Sequence, residues 1–192
     1  MNDINIIIRP LKLEDINKNY ISWFRDNKVT EYLEARNISI EDSKKYLADG
    51  ILHRNYYIYA ICDKNTEKHI GNIKIGPLRR LDGVSDLVTI IGNREYWGKG
   101  VGTEAIKLVV KKAFSEGGLR KFSASIDSSN KGSLNAYQKA GFKLEAKLKN
   151  YFYKDNKEHK AYSDKLYLVY DNLDEDLEKF KKWEPICLSD IT

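Results

Sequence analysis

The strongest constraint on what this chain can fold into is a set of glycines at alternate positions, in Trp97-Gly98-Lys99-Gly100-Val101-Gly102-Thr103. Before it, residues 85–91 are β-branched and strand-like. After it, Ile106, Val109, Val110 and Ala113 recur at helical spacing, with Glu104, Lys107, Lys111 and Lys112 on the opposite side. A strand that hands over to a helix through such a loop turns tightly with its amides exposed. The helix start adds free N–H groups and a partial positive charge, which together grip phosphate. The same glycines can also make nothing more than a sharp strand-to-helix turn. A P-loop needs G-x-x-x-x-G-K-[ST], and that pattern fails because Lys99 is followed by Gly100. Gly100-Val101-Gly102-Thr103-Glu104-Ala105 does satisfy the dinucleotide pattern G-x-G-x-x-A, with Asp127 after the next strand as a ribose-binding acid would be. That loop, however, opens a series of βαβ units, whereas the segments before Gly98 read as an antiparallel meander.

The rest of the pattern supports the meander. Residues 5–9 are an Ile-rich strand ending at Pro10, and 56–62, 69–76 and 85–91 are strand-like, with Asp82-Gly83 as the hairpin-type turn before the last. Between Leu13 and Leu33, Ile16, Tyr20, Trp23 and Phe24 keep helical spacing until Asp26-Asn27, which predicts two short helices with a break. Ser39 and Asp42 form a capping signature for a helix that starts near Ser39 and keeps one apolar side over 43–52. Beyond the glycine loop come a strand at 121–126, a helix at 130–140 closed by Gly141, and strands at 142–153 and 161–170 joined by a polar turn at 155–157. Residues 171–192 read as a charged tail of helix and coil. With no repeat, linker or low-complexity stretch, residues 1–170 form one domain. The fold class is α+β, a mixed, mostly antiparallel sheet of about seven strands flanked by helices.

Composition narrows the function classes. The 192 residues carry 33 Lys+Arg against 28 Asp+Glu, a formal charge of +5 spread in small Lys groups among acids. That distribution suits an anionic ligand better than a basic nucleic-acid stripe, so no nucleic-acid partner is expected. No apolar run approaches the ~18 residues needed to cross a bilayer. The start Met1-Asn2-Asp3 has no signal-type apolar region behind it, so the expectation is a soluble cytoplasmic protein with no membrane partner. Cys62 and Cys187 form no disulfide framework, and His53, His69 and His159 are scattered, so no metal is expected.

At this point the chain resembles the GNAT N-acetyltransferases. Trp97-Gly98-Lys99-Gly100-Val101-Gly102 matches that superfamily's acetyl-CoA loop, [RQ]-x-x-G-x-[GA], except that Trp97 replaces the Arg or Gln. In this it is similar to the RimJ/RimL-type branch. The segment Asn130-Lys131-Gly132-Ser133-Leu134-Asn135-Ala136-Tyr137-Gln138-Lys139-Ala140-Gly141-Phe142 is similar to the family's N-x-x-S-x-x-x-Y-x-K-x-G-F. The resemblance implies a sheet splayed between the strands 85–91 and 121–126, with the acyl group in the gap. It also implies acetyl-CoA as cosubstrate and an amine acceptor.

Acetyl transfer to an amine requires a docked thioester, a deprotonated nitrogen, stabilisation of a tetrahedral oxyanion and a proton for the departing thiolate. The resemblance assigns the diphosphate to the amides of Gly98, Lys99, Gly100, Val101, Gly102 and Thr103, and strand-like pairing of pantetheine to Ile90 and Ile91. Asn130 and Ser133 would meet the same arm, although Asn130 equally suits a helix N-cap. Tyr137 is the candidate general acid, since a phenol stays neutral at pH 7 and can protonate a thiolate; a core aromatic is the competing role. Asp86 aligns with the acid of the family's A-E-[IL]-G strand pattern and is the candidate base, one carbon short of Glu; an ordered water is the other candidate. An exposed polar residue at a strand end is the alternative. Glu34 and Arg36 lie where the family's acceptor loop sits, and Asp164 matches an acid of the last strand with its role open. Neither cysteine has a neighbouring His to activate it, so direct attack in a ternary complex is favoured over an acyl-cysteine route.

The segment from Tyr20 to Asp26, with Val29 and Tyr32-Leu33-Glu34, looks like acetyltransferases acting on nucleotide-linked amino sugars. The acceptor is therefore expected to be a small amine or such a sugar. A protein N-terminus stays open, as does a non-catalytic acyl-CoA-binding module. The partner would be a small-molecule or peptide amine, and the protein a monomer or homodimer.

Overall fold

The computed structural model describes residues 5–156 and 159–192. Met1, Asn2 and Asp3, and Lys157 of the expected polar turn, lie outside the described residues. The strands are β1 (Ile6–Pro10), β2 (Tyr57–Asp63), β3 (His69–Arg79), β4 (Val84–Ile91), β5 (Lys121–Asp127), β6 (Lys143–Asn156) and β7 (His159–Asp171). The helices are α1 (Lys18–Arg25), α2 (Ile40–Leu52), α3 (Val101–Gly117), α4 (Lys131–Lys139) and α5 (Leu177–Lys182). One 7-stranded sheet has the order β1-β2-β3-β4-β5-β7-β6. Every neighbouring pair is antiparallel except β4 and β5, which run parallel. The α+β class and the mostly antiparallel open sheet are as the sequence led us to expect, and a single parallel pair leaves no room for a series of βαβ units.

The parallel pair is what shapes the molecule. Val84, Ser85 and Asp86 are in register with Lys121, Phe122 and Ser123, and there the pairing stops, although β4 continues to Ile91 and β5 to Asp127. The sheet therefore forks, and the inner edge of β4 beyond Asp86 lacks a strand partner. Helices cover both faces unequally. On one face α3 buries Val101, Ala105, Ile106, Val109 and Ala113, all at 0–1% exposure, and Phe114 of α3 stacks on Phe122 of β5. On the other face α1 and α2 cover only the β1–β4 half. There the ring of His69 meets Trp23 edge-on, and Lys74 Nζ donates to the Tyr46 hydroxyl at 3.0 Å.

One expectation needs correcting. The second short helix expected before Leu33 is absent, because Asp26 builds a turn. Its carboxylate accepts the Lys28 N–H at 2.8 Å, and its carbonyl accepts both the N–H and the hydroxyl of Thr30 at 3.0 Å. The chain then runs as a loop until Ser39, whose side chain accepts the Asp42 N–H and caps α2 as expected. Residues 171–192 hold a short helix, α5, within coil, as expected, and the segment packs onto the core through a few side chains. Phe180, Trp183, Ile186 and Ile191 are buried, and Arg80 clamps the segment by donating to the carbonyls of Phe180, Lys181 and Trp183 at 3.0–3.2 Å. Four apolar residues among the lysines and acids give this segment its own buried face; the charged residues simply stay on the outside.

Candidate active site

The glycine loop opens into the fork. Gly98 (φ +72°) and Gly100 (φ +84°) are left-handed, and a Cβ at either would meet nothing within 4 Å. Glycine is therefore demanded here by the backbone turn and not by crowding. Gly100 caps α3, whose first intrahelical bond is Glu104 N–H to the Gly100 carbonyl at 3.0 Å. The amides of Val101, Gly102 and Thr103 consequently have no intrahelical acceptor and present a positive end. Below the loop lies a cleft of about 750 Å³, walled on one side by β4 and the Trp97–Thr103 loop and on the other by β5 and the head of α4.

Side chains occupy part of the open β4 edge. The Tyr137 hydroxyl, reaching from α4, donates to the Leu87 carbonyl at 2.7 Å and lies 3.3 Å from the Thr89 hydroxyl. In effect it stands in for the missing strand where the pairing ends. Trp97 Nε1 donates to the Ile91 carbonyl at 2.7 Å. Backbone groups of a strand alternate in direction, so Thr89 shares this edge with Leu87 and Ile91, while the main chain of Ile90 turns toward β3. Of the expected pair Ile90 and Ile91, then, Ile91 offers main-chain groups to the cleft and Ile90 offers its side chain.

Electrostatics sets the state of Tyr137. Burial at 4% exposure pushes its phenol well above the usual value, the Thr89 hydrogen bond pulls slightly back, and the nearby negative charge of Asp86 pushes it further up. The hydroxyl is thus held in its protonated form. Its ring packs edge-on against Phe142 at 5.0 Å, so the core-aromatic role and the site position coexist.

The other expected residues distribute unevenly. Asn130 Oδ1 accepts the Ser133 N–H at 3.1 Å as the cap of α4, and both residues line the cleft. Asp86 is exposed on the opposite side of β4 from Leu87 and is not among the cleft-lining residues; the Ser123 hydroxyl donates to its carboxylate across the last registered pair. Lys99 lies 5.8 Å over the Tyr96 ring, outside the wall. Glu34 and Arg36 are also outside it: Arg36 turns back on the carbonyls of Leu33 and Glu31. Their loop contributes Lys28, Glu31 and Tyr32 instead, with the Tyr32 hydroxyl donating to the Ser129 carbonyl at 3.4 Å from the far wall. Asp164 ties β7 to its surroundings, paired with Lys147 at 2.6 Å and accepting the Asn150 N–H, and Lys147 holds its carboxyl below the ordinary range. Cys62 is buried on β2, where burial pushes its thiol up, and Cys187 is exposed; neither lines the cleft. Among the described residues no group of His, Cys, Asp and Glu side chains is arranged to hold a metal, and no helix is long and apolar enough to cross a membrane.

Sequence reasoning missed Thr89 and Glu31. Period-two alternation from Leu87 could have marked Thr89, whereas nothing local distinguishes Glu31 from Glu34.

The model of the acetyltransferase (GNAT) domain matches residues 5–143. This chain belongs to the GNAT acetyltransferase family. Among its relatives are the probable N-acetyltransferase YjcK of Bacillus subtilis, 28% identical over 151 residues (73% of this chain and 81% of the relative), and the uncharacterized N-acetyltransferase p20 of Bacillus licheniformis, 23% identical over 150 residues (76% and 83%). Solved GNAT-like structures confirm the fold. The spermidine N-acetyltransferase from Vibrio cholerae, in complex with CoA and spermine, superimposes with a TM-score of 0.76 at 16% identity, covering 88% of this chain and 96% of its own. The ribosomal-protein-S5-alanine acetyltransferase from Vibrio fischeri gives 0.75 at 21% identity, covering 89% and 95%.

Proposed function

We propose that the protein is an acetyl-CoA-dependent N-acetyltransferase of the RimJ/RimL type that acetylates a small primary amine by direct attack in a ternary complex. The observation that carries this reading is the meeting of two features in one cleft. The outward-turned cradle at Gly98 and Gly100 heads α3, and beside it lies an unpaired β4 edge with the protonated hydroxyl of Tyr137. Open space where a Cβ would sit, together with free helix-start amides, fits a diphosphate. A cleft of about 750 Å³ is large enough for a cofactor arm.

Acetyl-CoA, when bound, supplies the activated thioester. The amides of Val101, Gly102 and Thr103 hold the diphosphate, and the Thr89 and Ile91 peptide groups extend the sheet onto the pantetheine arm. Asn130 keeps its Nδ2 donors for the same arm, since its Oδ1 caps α4. A β4 N–H at this edge faces the carbonyl oxygen as charge develops there. Tyr137 gives its proton to the departing thiolate, a proton that a phenol keeps at neutral pH. Asp86 stands at the fork outside the cleft wall, its carboxylate held by Ser123, so an ordered water in the cleft takes the ammonium proton. With both cysteines away from the cleft, no acyl-cysteine step is invoked.

For the acceptor, the loop that would receive it places Glu31 in the wall, a carboxylate suited to an amine cation. The solved relative that carries spermine has the same fold. The test is thiol release from acetyl-CoA offered with spermidine, a nucleotide-linked amino sugar and an alanine-terminated peptide. Release with spermidine above the hydrolysis background supports the reading. Release with only the peptide would make it a protein N-terminal acetyltransferase, and saturable CoA binding without release to any amine would make it a non-catalytic acyl-CoA module.

A further inference from the structure

Trp97 stands where the acetyl-CoA loop pattern has Arg or Gln, and its indole is placed unlike the protein's other two. Trp23 and Trp183 are 5% and 8% exposed, whereas Trp97 is 42% exposed and lines the cleft. An indole so exposed can leave its N–H to water, yet this one donates at 2.7 Å to the Ile91 carbonyl, the outermost carbonyl of β4 on the cleft edge. The Arg94 guanidinium lies 5.7 Å over the ring. The indole thus covers an acceptor that a strand-like ligand running along β4 would require.

We propose that Trp97 is a placeholder for the pantetheine arm. Its N–H occupies the Ile91 carbonyl while the cleft is empty, and an amide N–H of the arm displaces it when acyl-CoA enters. This rests on the acyl-CoA reading above and adds to it a residue role. The exchange balances one for one: the indole–carbonyl bond breaks, an amide–carbonyl bond forms, and the released indole N–H reaches water. In the free protein the indole keeps the end of the strand satisfied where no neighbouring strand does. Binding must undo that bond, so Trp97 lowers affinity for CoA while preserving the shape of the edge.

The experiment compares the parent protein with Trp97→Phe, using titration calorimetry with CoA and tryptophan emission at saturation. Phe keeps an aromatic ring at an exposed position and removes only the competing donor; a thermal melt of both proteins checks that folding is retained. One hydrogen bond of ordinary worth sets the size of the effect, so the variant should bind CoA about 3- to 10-fold more tightly. Saturating CoA should change the parent's emission through Trp97, and that change should vanish in the variant because Trp23 and Trp183 stay buried. Equal or weaker binding by Trp97→Phe overturns the proposal and marks the indole as a direct ligand contact or a bystander. Unchanged parent emission at saturation also overturns it. If the parent shows no heat of binding with CoA, the acyl-CoA reading fails and takes this role with it, an outcome separate from the other two.

Discussion

Replacing Tyr137 by Phe separates the chemical role of the hydroxyl from the packing role of the ring. The ring contact with Phe142 survives, and what is lost is the 2.7 Å bond to the Leu87 carbonyl and the 3.3 Å contact with Thr89. One buried hydrogen bond is worth about 1 kcal/mol, which in a chain of this size lowers Tm by about 2–4 °C. Loss of a general acid costs about 10²- to 10⁴-fold in kcat, or about 2.7–5.4 kcal/mol in the barrier. The chemical effect thus exceeds the structural one by a wide margin, and the two are read independently. Thiol release at saturating acetyl-CoA and amine gives kcat, and a melt in the same buffer gives Tm. The expected result is a fall in kcat of at least about 10²-fold, with KM for acetyl-CoA changed by less than about threefold, since Phe fills the same space. A kcat within about threefold of the parent, accompanied by the small drop in Tm, would show that the hydroxyl only completes the strand edge and would refute its role as proton donor.

Three further outcomes follow from the same geometry. Gly100→Ala should cost about 1–2 kcal/mol by backbone strain alone, since its φ of +84° is left-handed and no atom crowds the new methyl; urea midpoints measure the stability and calorimetry the accompanying loss of CoA affinity. Phe180→Ala should destabilise by about 3–5 kcal/mol, because the ring is 0% exposed although it lies in the charged C-terminal segment; a denaturation midpoint unchanged from the parent would return that segment to the status of an appendage. Tyr20, Tyr59 and Tyr137 are buried with phenols pushed up by desolvation, that of Tyr20 to about 12. The folded state therefore binds protons more tightly than the unfolded chain. This contribution is complete below pH ~10 and is lost as pH rises toward 12 and beyond, at about 1.4 kcal/mol per pH unit for each such tyrosine. Urea titrations between pH 9 and pH 12 should show stability falling steadily, and a flat profile would contradict the burial of these rings.

Much of the site was legible because its parts are local. The turn at Gly100 needs a residue free of Cβ strain, Asn130 and Ser39 cap helices through atoms within three residues of themselves, and α3 shows its buried stripe directly in its spacing. The acceptor loop was legible only in part. Helical spacing before Leu33 was overridden by the turn that Asp26 closes with its carboxylate and its carbonyl, and the choice of Glu31 over Glu34 for the wall follows from how that loop folds back. The packing of the C-terminal segment was not legible for a related reason: a few apolar residues among many charges can still bury one face when Arg80 captures the adjacent carbonyls.

By itself the amino-acid order determined the elements, the glycine cradle and the identity of the groups that can hold phosphate or give a proton. These depend on interactions over a few residues, and such interactions leave a periodic or positional trace. Tertiary structure alone decided where β4 and β5 part and which peptide groups of β4 are left facing the gap. It also decided that Tyr137 and Trp97 should close two of those carbonyls, and that Asp86 should stand on the other side of the strand. Those are contacts between residues distant along the chain, selected by how far a side chain reaches once whole elements have packed.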